Sequence, residues 1–268
     1  MQAANDFDVR YTVHNLSYNK NPAIGILKTE RNYSAYDSGN NQVCIFCHTP
    51  HNASPAIPLW NKVYASSLAG GYQLYTSSST LSTTAKKAQI LPNSESMLCL
   101  SCHDGKTAIN VLHNSRGKRD TASNGDYIVD MDGTKALKTL DMSGTVNDMN
   151  IGAVRGSDGI AVAGGGTNLT DDHPVGFSYD NAQLESPNDL QARSFAKAQG
   201  IRFFGPQHDR LECSSCHNPH VYYGSGRSGG SSIPVSGGGV PTAAQIARAP
   251  FLNISNDASA MCLACHKK

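Results

Sequence analysis

All eight cysteines of the chain, and four of its ten histidines, fall in four copies of one five-residue pattern. The copies are Cys44-Ile45-Phe46-Cys47-His48, Cys99-Leu100-Ser101-Cys102-His103, Cys213-Ser214-Ser215-Cys216-His217 and Cys262-Leu263-Ala264-Cys265-His266. Two thiols three residues apart project from one short helical turn and can form thioethers to the two vinyl groups of a single porphyrin. The histidine that follows then lies beneath the iron as proximal ligand, so CxxCH is the attachment chemistry of c-type haem. Paired cysteines also serve structural zinc, disulfides and redox dithiols. None of these needs a histidine directly after the second cysteine, and here all four copies have one. Four haem c groups are the expected cofactors.

The sixth position on each iron is the next chemical requirement. Six histidines lie outside the motifs: His14, His51, His113, His173, His208 and His220. An internal repeat separates them. Proximal histidines are spaced by 55, 114 and 49 residues, which groups the motifs as two pairs around a long insert. The first member of each pair reads CxxCHxPH, Cys44 to His51 and Cys213 to His220; the second reads CLxCH preceded by Met97 or Met261. One further histidine heads each half, His14 and His173. His14, His51, His173 and His220 are therefore the expected distal ligands, giving two histidines to each of four irons. His51 follows its own proximal His48 by three residues and emerges on the same side of that haem, so it should serve a different haem, and His220 likewise. His113 and His208 do not recur between the halves and read as surface or propionate-contacting residues.

The elements that position these residues must be short. Charged residues make up 16% of the 268, aromatics 7%, and 25 Gly and 12 Pro are scattered throughout, which excludes a sustained coiled coil. The net charge of +1 offers nucleic acid no basic face. No apolar run approaches the length of about 18 residues that a membrane span requires. The fold class expected is a loop-rich multihaem cytochrome c of low secondary-structure content. Short helices carry the haem motifs, a few short strands connect them, and the haem stack is the core. Residues 1–120 form the first di-haem half, 121–165 an insert with a β-hairpin, and 166–268 the second di-haem half. Haem is attached after export, so the protein is expected outside the cell or at its surface. Met1 to Asp6 has neither a charged n-region nor an apolar h-region, which suggests a mature chain whose signal peptide has been cleaved.

Between the motifs the signals are weaker. Residues 53 to 98, with Trp60, the tract Ser77 to Thr80 and Lys86-Lys87, read as surface loop with a short helix. Tyr127 to Thr134 reads as a strand turning at Gly133, with Leu137 to Val146 as its hairpin partner. Residues 188 to 200 read as a helix capped by Asn188 and stopped at Gly200, and Thr242 to Ala249 as another. Gly164 to Gly166 and residues 224 to 239 read as loops. Glycosylation triplets begin at Asn15, Asn32, Asn52, Asn168 and Asn253.

The succession HNL, CIFCHTPH, CLSCHDG, HPVGF, CSSCHNPH and CLACH resembles the extracellular tetrahaem cytochrome filaments, the OmcE-type cytochrome nanowires. The resemblance lies at the haem motifs and covers little of the inserts. It implies a bis-histidine haem chain, polymerised head to tail, that carries electrons over long distances outside the cell, with a histidine of one subunit ligating a haem of the next. If His173 served a haem of the first half, pseudo-symmetry would place His14 on a neighbouring copy, most simply at the Cys262/Cys265 haem. A contact of that kind does not close and makes a filament. The partners expected are copies of the chain and redox donors and acceptors. Two histidines per iron leave no open site, so the chain is expected not to be an enzyme. Two alternatives remain: a soluble monomeric tetrahaem shuttle, and a multihaem reductase with one five-coordinate haem.

Overall fold

The structure is a computed structural model that describes Val9, His14 and residues 43–51, 53, 59–62, 71–104, 111–113, 126–127, 151, 168–221, 247–248 and 251–267. Among the described residues, regular structure comes in pieces of two to nine residues, separated by loops.

Small polar residues set the helix starts. Helix α1 (Thr83–Lys86) is capped by Ser82, whose side chain accepts from the Ala85 amide. Helix α2 (Glu95–His103) is capped by Ser94, which accepts from the Met97 amide, and Glu95 adds an acidic first turn. Helix α3 (Tyr179–Glu185) begins at Ser178, which caps through the Asn181 amide. Helices α4 (Arg193–Ala198), α5 (Cys213–Cys216) and α6 (Ala260–Cys265) complete the set, with single 3₁₀ turns at Cys44–Phe46 and Asp257–Ser259. Four of these pieces carry the CxxC cysteines: the Cys44–Phe46 turn, α2, α5 and α6.

Strand pairing is equally brief. Strand β1 (Val111–Leu112) pairs antiparallel with β2 (Asp126–Tyr127), and β3 (Phe177–Ser178) with β4 (Arg210–Leu211). Tyr127 thus pairs back to Val111, next to the first half. The expected hairpin partner, 137–146, lies outside the described residues, as do Gly164 to Gly166, 224–239 and most of 242–249.

The helix expected over 188–200 is shorter than its signal, running from Arg193 to Ala198. The backbone ahead of it is used elsewhere: Gln191 N–H donates to Cys265 C=O (2.8 Å), and Leu190 bridges to His266. That segment is pinned to the fourth motif and cannot join the helix. Gly200 does mark the stop, with φ +105°.

Two apolar clusters hold the pieces together. The larger joins Tyr75, Ala85, Ala88 and Leu100 to Leu169, Phe177, Tyr179, Ala182, Ala196, Ile201, Phe203, Leu211 and Ala264, so it draws on both halves of the repeat. The smaller consists of Ile45, Phe46 and Leu112, with Cys47 against it. Residues 60–62 belong to this second region. Trp60, Asn61 and Lys62 are buried, not surface loop. Among the described residues no helix is long and apolar enough to cross a membrane.

Candidate haem centres

The four motifs are held by different means. At the first, Phe46 is 1% exposed beneath the 3₁₀ turn, and Asn61 clasps it, its side chain donating to Ile45 C=O (2.7 Å) and its amide to Cys47 C=O (2.9 Å). At the second, α2 buries Met97 and Leu100. At the third, Glu212 and Ser215 cap each other across the first turn of α5. Asn253 donates to Ser214 C=O and Ser215 C=O, both 3.0 Å, which engages the side chain of one glycosylation triplet in structure. At the fourth, α6 carries Cys262 and Cys265.

The histidine rings meet in pairs. His48 and His220 have ring centres 6.2 Å apart with planes 14° from parallel. His14 and His103 are 6.1 Å apart at 71°, and His173 and His266 are 6.4 Å apart at 76°. Two imidazoles bound end-on to opposite faces of one metal at about 2 Å each would have ring centres about 6 Å apart. Each pair joins a motif histidine to one outside the motifs. His220 faces His48, not the His217 three residues before it. His14 faces His103 of its own chain, and His173 faces His266 of its own half. The expectation that His173 reaches a motif of the first half is not the arrangement seen.

The position of His173 has a local cause. Its carbonyl accepts from the Tyr75 hydroxyl (3.4 Å), and three residues on Gly176 N–H donates to Leu211 C=O (2.7 Å). Gly176 has φ +83°, and a Cβ there would lie 2.7 Å from Gln89 O, so the HPVG run fits only with glycine at that approach. His14 also packs on Phe251, with ring centres 4.5 Å apart.

Hydrogen bonds engage Nδ1 of two of the histidines outside the motifs. His173 Nδ1 lies 3.1 Å from Pro174 C=O, an acceptor only, so Nδ1 is the donor of that contact. His220 Nδ1 lies 3.1 Å from Asn218 Oδ1, the same arrangement with a carboxamide. Such a partner on the far nitrogen orients a ligating imidazole. Burial, then the charge of His220, lowers the His48 pKa, against the backbone contact at Leu59. Burial, then Arg202, lowers that of His220. Both rings are held toward the neutral form that metal requires.

Cys47 is pushed up to about 12 by burial and by Cys102, and Cys216 to about 12 by burial and by Cys265. Cys99 donates a hydrogen bond to the Cys213 sulfur, which raises the pKa of Cys99 and lowers that of Cys213. The motifs therefore neighbour one another in chain order, first to second, second to third, third to fourth. Cys44 and Cys262, the outer cysteines of the two end motifs, are exposed. All eight cysteines are free thiols, with no disulfide among them. Among the described residues no group of three or more His, Cys, Asp or Glu is gathered as for a metal ion. No protein-family model and no curated protein matches this chain.

One further observation bears on the fit of a porphyrin. Trp60 lies edge-on to His48 at 5.6 Å, and its indole N–H is buried with no hydrogen-bond partner in the protein. A buried donor without an acceptor costs about 1–3 kcal/mol, and a haem beside His48 brings acceptor oxygens on its propionates. Together with the opposed imidazoles and paired thiols, the residues present fit the group.

His208 sits in an exposed turn at φ +50°, its amide donating to Gly205 C=O (3.0 Å) and its carbonyl accepting from Arg193 (2.5 Å). The His113 amide donates to Asn61 C=O (2.9 Å). The site also includes Trp60, Asn61, Lys62 and Ser96, from the stretch expected as surface loop with a short helix, and Glu212, which no expectation covered. They carry no motif, and a charged or polar residue in a loop gives no sign that it will be buried.

Proposed function

We propose that this chain conducts electrons through four haem c groups, each attached by one CxxCH and ligated by two histidines. The observation that carries the reading is the set of three imidazole pairs about 6 Å apart, each joining His48, His103 or His266 to a histidine outside the motifs. His217 and His51 are the two ligand histidines that remain, and we assign them to each other. His51 then serves the third motif as His220 serves the first, the cross-over implied by their shared CxxCHxPH.

The bound haem supplies one-electron ferric–ferrous chemistry. The chain's residues do the rest. The paired histidines would hold the iron between them and would leave no site for a substrate, which disfavours the reductase. Cys99 is hydrogen-bonded to Cys213, and Cys47 lies within electrostatic reach of Cys102 and Cys216 of Cys265, so electrons would pass between neighbours in chain order. Cys44 and Cys262 leave the two ends of that path at the surface. Mass spectrometry and a pyridine haemochrome assay of the exported protein should give four haems per chain and no alkylatable cysteine. The ferrous protein should be low-spin and should bind no carbon monoxide. A five-coordinate iron would instead favour the reductase.

Polymerisation is a separate question. The filament reading rests on the motif resemblance, and the single-chain shuttle on the placement of His14 against its own His103. Both hold together if copies exchange the His14 segment, the same His14–His103 pair then forming between chains. Electron microscopy of the native extracellular fraction, with a haem stain, tests this. Thin haem-positive filaments that His14→Ala abolishes support the exchange. Dispersed single chains with all irons six-coordinate support the shuttle.

A further inference from the structure

A three-residue segment clasps each CxxCHxPH copy, in the same way and from an unrelated place in the sequence. At the first copy the Thr49 amide donates to Leu59 C=O (2.9 Å), Trp60 bridges to His48, and the Asn61 amide donates to Cys47 C=O (2.9 Å). At the second the Asn218 amide donates to Phe251 C=O (2.6 Å), Leu252 bridges to His217, and the Asn253 amide donates to Cys216 C=O (2.7 Å). Both asparagine side chains donate to the carbonyl of the residue after the first cysteine, Ile45 or Ser214. Both segments open on a left-handed residue, Leu59 at φ +64° and Phe251 at φ +59°. The copies differ at the central position. Leu252 is 6% exposed and Trp60 8%, so a purely aliphatic side chain can fill this place in the clasp. Trp60 brings in addition an indole N–H, buried and with no hydrogen-bond partner among the described residues. A buried indole N–H ordinarily finds an acceptor, and packing alone does not call for one here.

We propose that Trp60 is a propionate donor: its indole N–H bonds a propionate carboxylate of the haem at Cys44/Cys47 and raises the reduction potential of that haem. This rests on the haem reading above. The ring stands edge-on to His48, with centres 5.6 Å apart and planes 82° from parallel, so the haem that His48 ligates is the one beside it. The four porphyrin nitrogens bind iron, which leaves the propionates as the acceptors a haem carries. A donor bonded to a carboxylate draws off part of its negative charge, and less negative charge beside the iron favours the ferrous state. Burial keeps water from replacing the bond. The third motif, with Leu252 in the equivalent place, has no such donor, so the clasp distinguishes two haems whose attachment sequences match.

The test uses the haem-loaded protein. Trp60 is the only tryptophan of the chain, so the indole N–H band in ultraviolet resonance Raman reports this residue alone. The band should lie where a hydrogen-bonded indole absorbs. A free indole beside four low-spin haems would overturn the proposal and leave the haem reading standing, and a wild-type chain that takes up no haem would overturn both. Trp60→Leu copies the clasp of the third motif and removes the donor. With isotope-labelled propionate carboxyls, its infrared spectrum should show one carboxylate stretch displaced; an unmoved spectrum would give the indole a different acceptor and overturn the assignment. In a spectroelectrochemical titration Trp60→Leu should lower the ferrous-to-ferric ratio of one component about threefold at fixed potential, the low end of what one hydrogen bond contributes. An unmoved component would overturn the effect on potential. Should Trp60→Leu fail to fold, ring-fluorinated tryptophan at this position decides. Its N–H is a stronger donor in nearly the same volume, so it should displace the same stretch and move that component the opposite way, which altered packing would not do. A fluorinated protein indistinguishable from wild type sinks the idea.

Discussion

The two CxxCHxPH copies share a sequence pattern and a clasping asparagine, and little else of what supports them. The first, Cys44 to His51, rests on apolar packing and on the single buried clasp of Asn61. Ile45 and Phe46 meet Leu112, and the 3₁₀ turn has no side-chain cap. The second, Cys213 to His220, rests on a buried polar network. Glu212, 1% exposed, accepts from Ser96 (2.5 Å) and from Arg210 (2.9 Å), while Ser96 accepts from the Cys213 amide (3.0 Å). Arg210 in turn donates to Gln89 C=O (2.9 Å) and Gly176 C=O (2.7 Å). Ser96 and Gln89 belong to the first half of the repeat, so this network ties the second motif to the third, where the Cys99 and Cys213 sulfurs touch. The attachment motif thus does not bring its own fold; its neighbours decide whether oil or charge holds it.

If the difference is real, the polar copy should be the easier one to break. Glu212→Ala leaves Arg210 and Ser96 facing a cavity, and removing one member of a buried pair costs about 3–5 kcal/mol. Urea unfolding of the haem-loaded protein should show this loss, with Glu212→Gln recovering part of it because the Ser96 hydroxyl keeps an acceptor. A Glu212→Ala protein as stable as wild type would mean that the network is incidental.

The apolar copy should yield less to a comparable insult. Phe46→Leu keeps the site hydrophobic and removes part of the ring volume, a change that costs about 1–1.5 kcal/mol. The effect should be local, because the small cluster of Ile45, Phe46 and Leu112 is separate from the large one. Hydrogen exchange at the Cys47 and Asn61 amides should quicken while α3 and α4 stay protected. Faster exchange throughout the chain would show that the two clusters act as one.

What could be read in advance divides along the same line. The motifs are legible because their chemistry fixes the spacing of the cysteines, and the repeat singled out His14, His173 and His220, which the structure sets against motif histidines. Which ring meets which was not legible. That depends on where α2, α5 and α6 settle in a core built from both halves, and a contact between His48 and His220 spans 172 residues of sequence. The helix at Arg193–Ala198 was legible from its glycine stop, but not its start, because the 190–191 backbone is taken by the fourth motif. Lys62 was invisible as a buried residue, since a lysine in a stretch of mixed polarity reads as solvated. The weak composition also left the two cores unseen: Ala85, Ala88, Ala182 and Ala196 bury completely without forming an apolar run.

The smallest expected effect is the most specific to the comparison. In the second copy Asn218 accepts from the His220 amide (3.0 Å) and lies 3.1 Å from its Nδ1; in the first the corresponding Thr49 hydroxyl donates to the backbone, His51 C=O (2.7 Å). Asn218→Ala should cost about 1 kcal/mol of stability and also release the His220 ring from its near-parallel setting against His48. The low-spin ferric signal of a parallel imidazole pair should then shift toward that of a twisted one in electron paramagnetic resonance. Thr49→Val should cost about 0.5 kcal/mol and leave that signal in place, because the hydroxyl bonds backbone. Equal spectra from the two variants would mean that Asn218 also serves only the turn, and that the His220 ring is oriented by its burial between Arg202 and the first motif.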